Sequence, residues 1–248
     1  MANTTVNYEM TFIDTVSSLA PINPQLIFTN SEDKKTVSIK ANNSSRTVLY
    51  TLDAPSSMFN FTGNSMAMIN YNKFKQYFGT YCTKNAEDKP ELSTEQDDLG
   101  QPRFIFIKNN TIASEIRHHL ASIDTVEKPC FNEVDAGNID AAFALSDAQI
   151  SNLKKMISMV EADSIKFSVN GSIVKVTLFN KLTADVFTQD YNLDAAAVTA
   201  FDLTTPASGF ELLPVAGYKV SINKDGLLHL HQDRDDGIEL NLYIAEQE

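Results

Sequence analysis

Apolar and polar residues alternate along this chain in two long series, and a helical period interrupts each series twice. The first opens on NYEMTFIDTVSSL (residues 7–19), with apolar positions at helical spacing, and Pro21 and Pro24 end it. Period-two runs follow in QLIFTN, KTVSIKA, RTVLYTLD and SMFNFTG, and these predict four strands. INYNKFKQYFGTYC (residues 69–82) predicts a second helix, and RFIFIK with TIASEIR a closing hairpin. The second series begins with the strand DAAFAL and a helix from Ser146 to about Val160, where Ser146 and Gln149 have capping-box spacing. Strands SIKFSV, IVKVTLF, ADVFTQDYN and VTAFDLT come next, then a short helical PASGFELL and the strands GYKVSI, LLHLHQ and IELNLYI. Helix, four strands, helix and closing strands therefore occur twice. The pattern predicts an α+β protein with two similar domains, residues 1–117 and 138–248. Residues 118–137, which show no sustained period, read as the connector.

The polar faces of the helices carry the next signal. At 100° per residue Ile150, Leu153, Ile157 and Val160 share one side, Lys155 lies nearly opposite with Asn152 and Met159 beside it, and Lys154 takes the flank. In residues 69–82 the apolar side is Phe74, Tyr77, Phe78 and Tyr81; Asn72 and Gln76 face away, flanked by Lys73 and Lys75. Each half thus backs a helix onto a sheet and shows an uncharged or positive face. An ordinary solvated helix gives the same pattern. The helix at 7–19 carries no lysine or arginine.

Composition changes the picture because the lysine faces sit in an acidic chain of 248 residues and formal net charge −12. A sequence pI of about 4.7 argues against nucleic-acid binding by the whole surface, not by one local face. An apolar content of 43% suits a folded protein with a sizeable core. Residues 85–98, NAEDKPELSTEQDD, and 232–236, QDRDD, read as solvated acidic loops, the first an inserted hairpin loop. Cys82 and Cys130 are too few and too isolated for a disulfide framework or a zinc site, and fit a reducing cytoplasm. MANTTVNYEM has neither the basic nor the apolar part of a signal peptide, and no run of about 18 apolar residues predicts a membrane span.

FALSDAQISNLKKMISMVEADSIKFSVNGSIVKVTLFNK (residues 143–181), FDLTTPASGFELLPVAGYKVSI (201–222) and the closing ELNLYIAEQE together resemble the DNA polymerase sliding clamps, most of all those of T-even-type bacteriophages. The likeness covers most of residues 138–248 and, more weakly, 20–80. It implies two clamp-type domains, each a sheet layer backed by two helices, in a subunit of a DNA-encircling homotrimeric ring. It further implies that the helices line the hole, where Lys73, Lys75, Lys84, Asn152, Lys154 and Lys155 would face duplex DNA without reading its sequence. Such a clamp would tether a replicative polymerase for processive synthesis, with no cofactor and no bond made or broken. Its partners would be DNA, the polymerase's C-terminal peptide, a clamp loader and itself, in the cytoplasm of the host cell if phage-encoded. The peptide pocket implied by the likeness takes Leu120, Ile123 and Val126 from the connector, as exposed side chains, with Leu227, Tyr243 and Ile244 from the closing strands. The same side chains could simply pin the connector onto the sheets.

An enzyme is the less favoured reading. His229 and His231 share a strand face in LLHLHQD, near Asp233, but no third metal ligand has suitable spacing. His118 and His119 head the connector, and no glycine-rich phosphate loop, nucleophile elbow or H-E-x-x-H is present. The alternatives outside enzymology are a β-rich viral structural or attachment protein with no DNA role, and a processivity factor that works as a monomer or dimer.

Overall fold

A computed structural model of the chain describes residues 3–81, 89–126, 129 and 137–247. The expectations for Cys82, Lys84, Cys130, residues 85–88 and most of 127–136 lie outside the described residues. The chain divides into two compact units, one of Met1–Ala41, Thr51–Cys130 and Asp235–Ile238, the other of Asn42–Tyr50, Phe131–Arg234 and Glu239–Glu248.

In the first series the elements are β1 (Asn3–Tyr8), α1 (Met10–Leu19), β2 (Leu26–Asn30), β3 (Thr36–Asn42), β4 (Val48–Pro55), β5 (Phe59–Asn60), β6 (Ser65–Met68), α2 (Tyr71–Tyr81), β7 (Glu91–Gln96), β8 (Pro102–Asn109) and β9 (Ser114–His119). One antiparallel sheet of the first unit runs β5-β1-β7-β8-β9. A second ladder joins β3 to β2 and β2 to β6. The core of this unit is aromatic: Phe12 stacks on Phe59 at 5.1 Å, Phe59 meets Phe28 at 5.3 Å, and Tyr71, Phe74 and Phe78 follow along α2 at 5.5 and 5.8 Å. Ring-on-ring packing at these separations adds to the burial of area itself.

The second series gives β10 (Ala141–Leu145), α3 (Asp147–Met159), β11 (Ser164–Asn170), β12 (Ile173–Phe179), β13 (Val186–Asn192), β14 (Phe201–Pro206), α4 (Ser208–Glu211), β15 (Tyr218–Asn223), β16 (Leu227–Asp233) and β17 (Glu239–Ala245). One sheet runs β13-β12-β11-β14, and a second ladder β10-β15-β16-β17. Its core is mainly aliphatic, with Ile150, Leu153 and Ile157 of α3 buried together with Val174, Val176 and Leu178 of β12. Gly171 and Ser172 make the two-residue turn between β11 and β12, with Gly171 at φ 60, a left-handed value that favours glycine. The predicted capping box is present: Gln149 N–H donates to Ser146 Oγ at 3.3 Å and Ser146 N–H donates to Gln149 Oε1 at 2.8 Å.

Three expectations need correction. Residues 3–8 form a strand and the first helix begins at Met10, so each series opens on a strand followed by a helix. The 91–96 part of the acidic stretch is a strand paired on both sides, to β1 and β8, because Leu92 and Thr94 point inward while its acids point out. Strand β9 also continues through His118 and His119, two residues into the expected connector, before a 3-10 turn at Ile123–Thr125. Among the described residues no helix is long and apolar enough to cross a membrane.

Candidate nucleic-acid interface and docking groove

The helices present unequal faces. On α2, Asn72, Lys73, Lys75 and Gln76 are exposed while Tyr71, Phe74, Phe78 and Tyr81 are buried. The Lys73 ammonium sits 5.6 Å from the centre of the Tyr77 ring. On α3, Asn152 and Lys155 are exposed, and Asn152 Nδ2 lies 3.5 Å from Gln189 Oε1. Lys154 differs from the other lysines: its half-buried ammonium donates to the Leu213 carbonyl just past α4 at 2.7 Å. Burial pulls its pKa down, and the Glu211 carboxylate acts in the opposite direction. It is therefore anchored within its own unit, a contact that sequence spacing could not show. The other two helices expose acid: Asp14 with Thr11 on α1, and Glu211 on α4.

The outer strands differ in a second way. Beside β6, Ala121 N–H donates to Ala67 O at 2.9 Å; beside β10, Asp194 N–H donates to Ala142 O at 2.8 Å; beside β14, Gln247 N–H donates to Thr204 O at 2.8 Å. The chain thus covers these edges with its own backbone. Strands β9 and β13 are outermost in their sheets, and no described strand pairs with their outer sides. Unpaired backbone groups on a full-length edge strand are a template for another strand.

The connector residues line a groove of about 620 Å³ in the first unit, between β6, the start of β8 and the 3-10 turn. Ala67, Ile69, Leu99 and Ile123 supply apolar wall, and Asp97, Arg103 and Asp124 supply charge. The expected exposure of the connector side chains requires correction. Leu120 and Val126 are 1% and 4% exposed, and Val126 packs with Ala67 and Ala121 against partly buried Ile27 and Ile123. The chain uses them to hold the connector down, and Ile123 stays partly accessible.

In the second unit Leu227 and Tyr243 are half-buried, and Tyr243 stacks flat on His229 at 4.5 Å. Ile244 is fully buried: a Cβ built on Gly209 would come within 2.6 Å of its Cδ1. His229 Nε2 and His231 Nδ1 both lie 2.9 Å from Asn241 Oδ1, whose own Nδ2 donates to Glu239 Oε1 at 3.1 Å. Burial is the main cause that lowers the His229 pKa. Among the described residues no group of three or more His, Cys, Asp or Glu side chains could hold a metal ion. His118 faces α2 beside Phe74 and Tyr77, whereas His119 is exposed against the Phe104 ring edge at 5.0 Å.

Two similar series of helix-backed sheets define a known architecture, and the chain has the α+β DNA clamp fold. The PCNA of Thermococcus kodakaraensis aligns with a TM-score of 0.72 at 14% identity, covering 99% of this chain and 100% of that one. A PCNA2–PCNA3 complex from Sulfolobus tokodaii gives 0.73 at 13%, covering 99% of each. A. fulgidus PCNA with the C-terminal region of FEN-1 bound gives 0.70 at 11%, covering 100% of this chain and 99% of that one. No protein-family model and no curated protein matches the sequence.

Proposed function

We propose that this chain is a sliding clamp of the T-even phage type. It closes as a head-to-tail homotrimer around duplex DNA and tethers a replicative polymerase, catalysing nothing itself. The carrying observation is that, in a chain sharing the clamp fold along its whole length, β9 and β13 are left with open outer edges. Heterologous pairing of two different edges, β9 of one copy with β13 of the next, builds a ring when the rotation closes. Lys73, Lys75 and Lys155, with Asn152, are the groups free to meet phosphates, and Lys84 is proposed to join them. Lys154, tied to Leu213, serves chiefly to hold α4. Weak contacts without sequence readout suit a ring that must slide.

The polymerase's C-terminal peptide is the proposed occupant of the connector groove, with Ile123 as the accessible apolar contact. A peptide tail is bound to A. fulgidus PCNA in the same fold, which supports this reading. Leu120 and Val126 would act from beneath as support; on the second unit, Tyr243 and Leu227, with Ile244 buried below them, are proposed as a separate partner contact. A clamp loader is the remaining partner. The test is sedimentation together with primer extension on circular DNA: a trimer that lengthens polymerase products is expected. A chain that stays monomeric at micromolar concentration, or a trimer with no effect on product length, overturns the proposal.

A further inference from the structure

The two open edges match each other in a way that fixes how they meet. On β9, Leu120 N–H donates to Arg103 O at 2.8 Å, in step with the β8–β9 ladder. Alternation then turns the backbone groups of Ser114, Ile116 and His118 toward β8 and those of Glu115, Arg117 and His119 outward. On β13, Leu193 N–H donates to Ser172 O at 2.9 Å, in step with the β12–β13 ladder. By the same rule Phe187, Gln189 and Tyr191 are satisfied, and Val186, Thr188, Asp190 and Asn192 are open. Ser114, Ile116 and His118 lie on the face packed by α2, since His118 meets Phe74 and Tyr77. Phe187, Gln189 and Tyr191 lie on the face packed by α3, since Gln189 meets Asn152. Pairing the open groups therefore places both helix layers on one side of the joined sheet.

Only alternate registers keep that match, and the side chains choose among them. On β9, Ser114 Oγ and His118 Nε2 are buried without a hydrogen-bond partner among the described residues, with half-buried Ile116 between them. The sequence Ser, Ile, His is thus polar, apolar, polar. Asp185, Phe187 and Gln189 have the same alternation in the opposite direction.

We infer that β9 of one copy and β13 of the next pair antiparallel with Ile116 opposite Phe187, Ser114 opposite Gln189 and His118 opposite Asp185. This rests on the clamp reading and adds the register of its seam. It gives both orphan polar atoms a partner. It also brings exposed Val186 (57%) under the stem of Arg117. Sliding by two residues one way sets Glu115 against Asp190, a like-charge pair, and puts His118 against Phe187. Sliding by four sets Arg117 against Asp190 but takes Val186 away from Arg117. An exposed ion pair contributes little beside covered apolar surface. Arg117 is also already engaged, over the Phe104 ring at 3.5 Å and with Glu95 at 3.6 Å, and Lys175 is Asp190's cross-strand neighbour.

The test uses the full chain with Cys82 and Cys130 replaced by serine. Ile116→Cys with Phe187→Cys should give covalent species of two and three chains on mild oxidation. Glu115→Cys with Thr188→Cys, both exposed and directly opposite in this register, repeats the test without touching buried groups. Neither Ile116→Cys with Gln189→Cys nor Ile116→Cys with Tyr191→Cys should cross-link beyond a few per cent. Faster cross-linking of either latter pair overturns the register while leaving the ring intact. A trimer in sedimentation with no cross-link in any pair overturns this seam. A monomer with no cross-link overturns the clamp reading as well.

Discussion

Helices α2 and α3 occupy corresponding places in the two series and turn lysine outward, yet they are held down by different means. Helix α2 rests on aromatic rings, with Phe74 at no measurable exposure between Tyr71 and Phe78. Helix α3 rests on Ile150, Leu153 and Ile157 and begins with a reciprocal cap. Helix α2 leaves Lys73 and Lys75 in solvent, whereas α3 leaves only Lys155 there and ties Lys154 to the Leu213 carbonyl. The difference teaches that repeated architecture preserves the direction of a face more firmly than the chemistry beneath it. It also means that two neighbouring lysines can belong to different tasks.

The largest effect should come from the aromatic side. Phe74→Ala is expected to cost about 3–5 kcal/mol and Ile157→Ala about 2–5 kcal/mol, through reduced burial plus the cavity left behind. Urea unfolding measures both, and a Phe74→Ala cost below about 1 kcal/mol would show that the ring stack does not anchor α2. Next comes charge. Converting Lys73, Lys75 and Lys155 to Glu should flatten the slope of log Kobs against log salt by about 0.9 for each phosphate that is no longer neutralised. Lys154→Met should leave that slope unchanged while lowering the melting temperature. If Lys154→Met instead flattens the slope as Lys155→Met does, the two lysines share one task.

A smaller change is expected at the cap. Ser146→Ala should destabilise by about 1 kcal/mol and Ser146→Asp should restore most of it, read by thermal unfolding. The last effect depends on pH. Burial first, then Lys73 and His119, hold the His118 pKa below its ordinary value. A histidine whose folded pKa lies below the unfolded one binds its proton more readily when unfolded. Its contribution is therefore complete above the unfolded pKa of about 6.5 and is lost as pH falls below it. In dilute monomer, His118→Gln should flatten the loss of stability below that pH. His229 shifts in the same direction, so some dependence remains. A profile identical to that of the unchanged chain would remove His118 from this account.

Much of the fold is legible in the sequence because single-face burial leaves a clean period. Strands such as Ile173–Phe179, with Val174, Val176 and Leu178 inward, show it directly. Strand β6 escapes a reading by period because Met66, Ala67 and Met68 are all buried, which erases the alternation. Strand β7 reads as a loop because its inward positions are Leu92 and Thr94, a weak signal among acids. Strand β1 merges with the helix that follows it, since Tyr8 and Met10 fit either period. The outward direction of Lys73, Lys75 and Lys155 is legible from 100° spacing. The tie of Lys154 is not, because Leu213 lies 59 residues away in sequence. The buried state of Val126 depends on Ala67 and Ala121 meeting, which no local pattern announces.

The close fit of Gly209 and Ile244 sets an order in which this protein can diverge. With a Cβ at 209 brought to 2.6 Å from Ile244 Cδ1 and 3.4 Å from Val48 Cγ2, alanine arriving first at 209 would collide inside a filled core. A shortening of residue 244 to valine removes the nearest of these atoms and is tolerable alone. Descendants carrying a side chain at 209 should therefore have passed through a smaller residue at 244, and reconstructed intermediates with the reverse order should fold poorly.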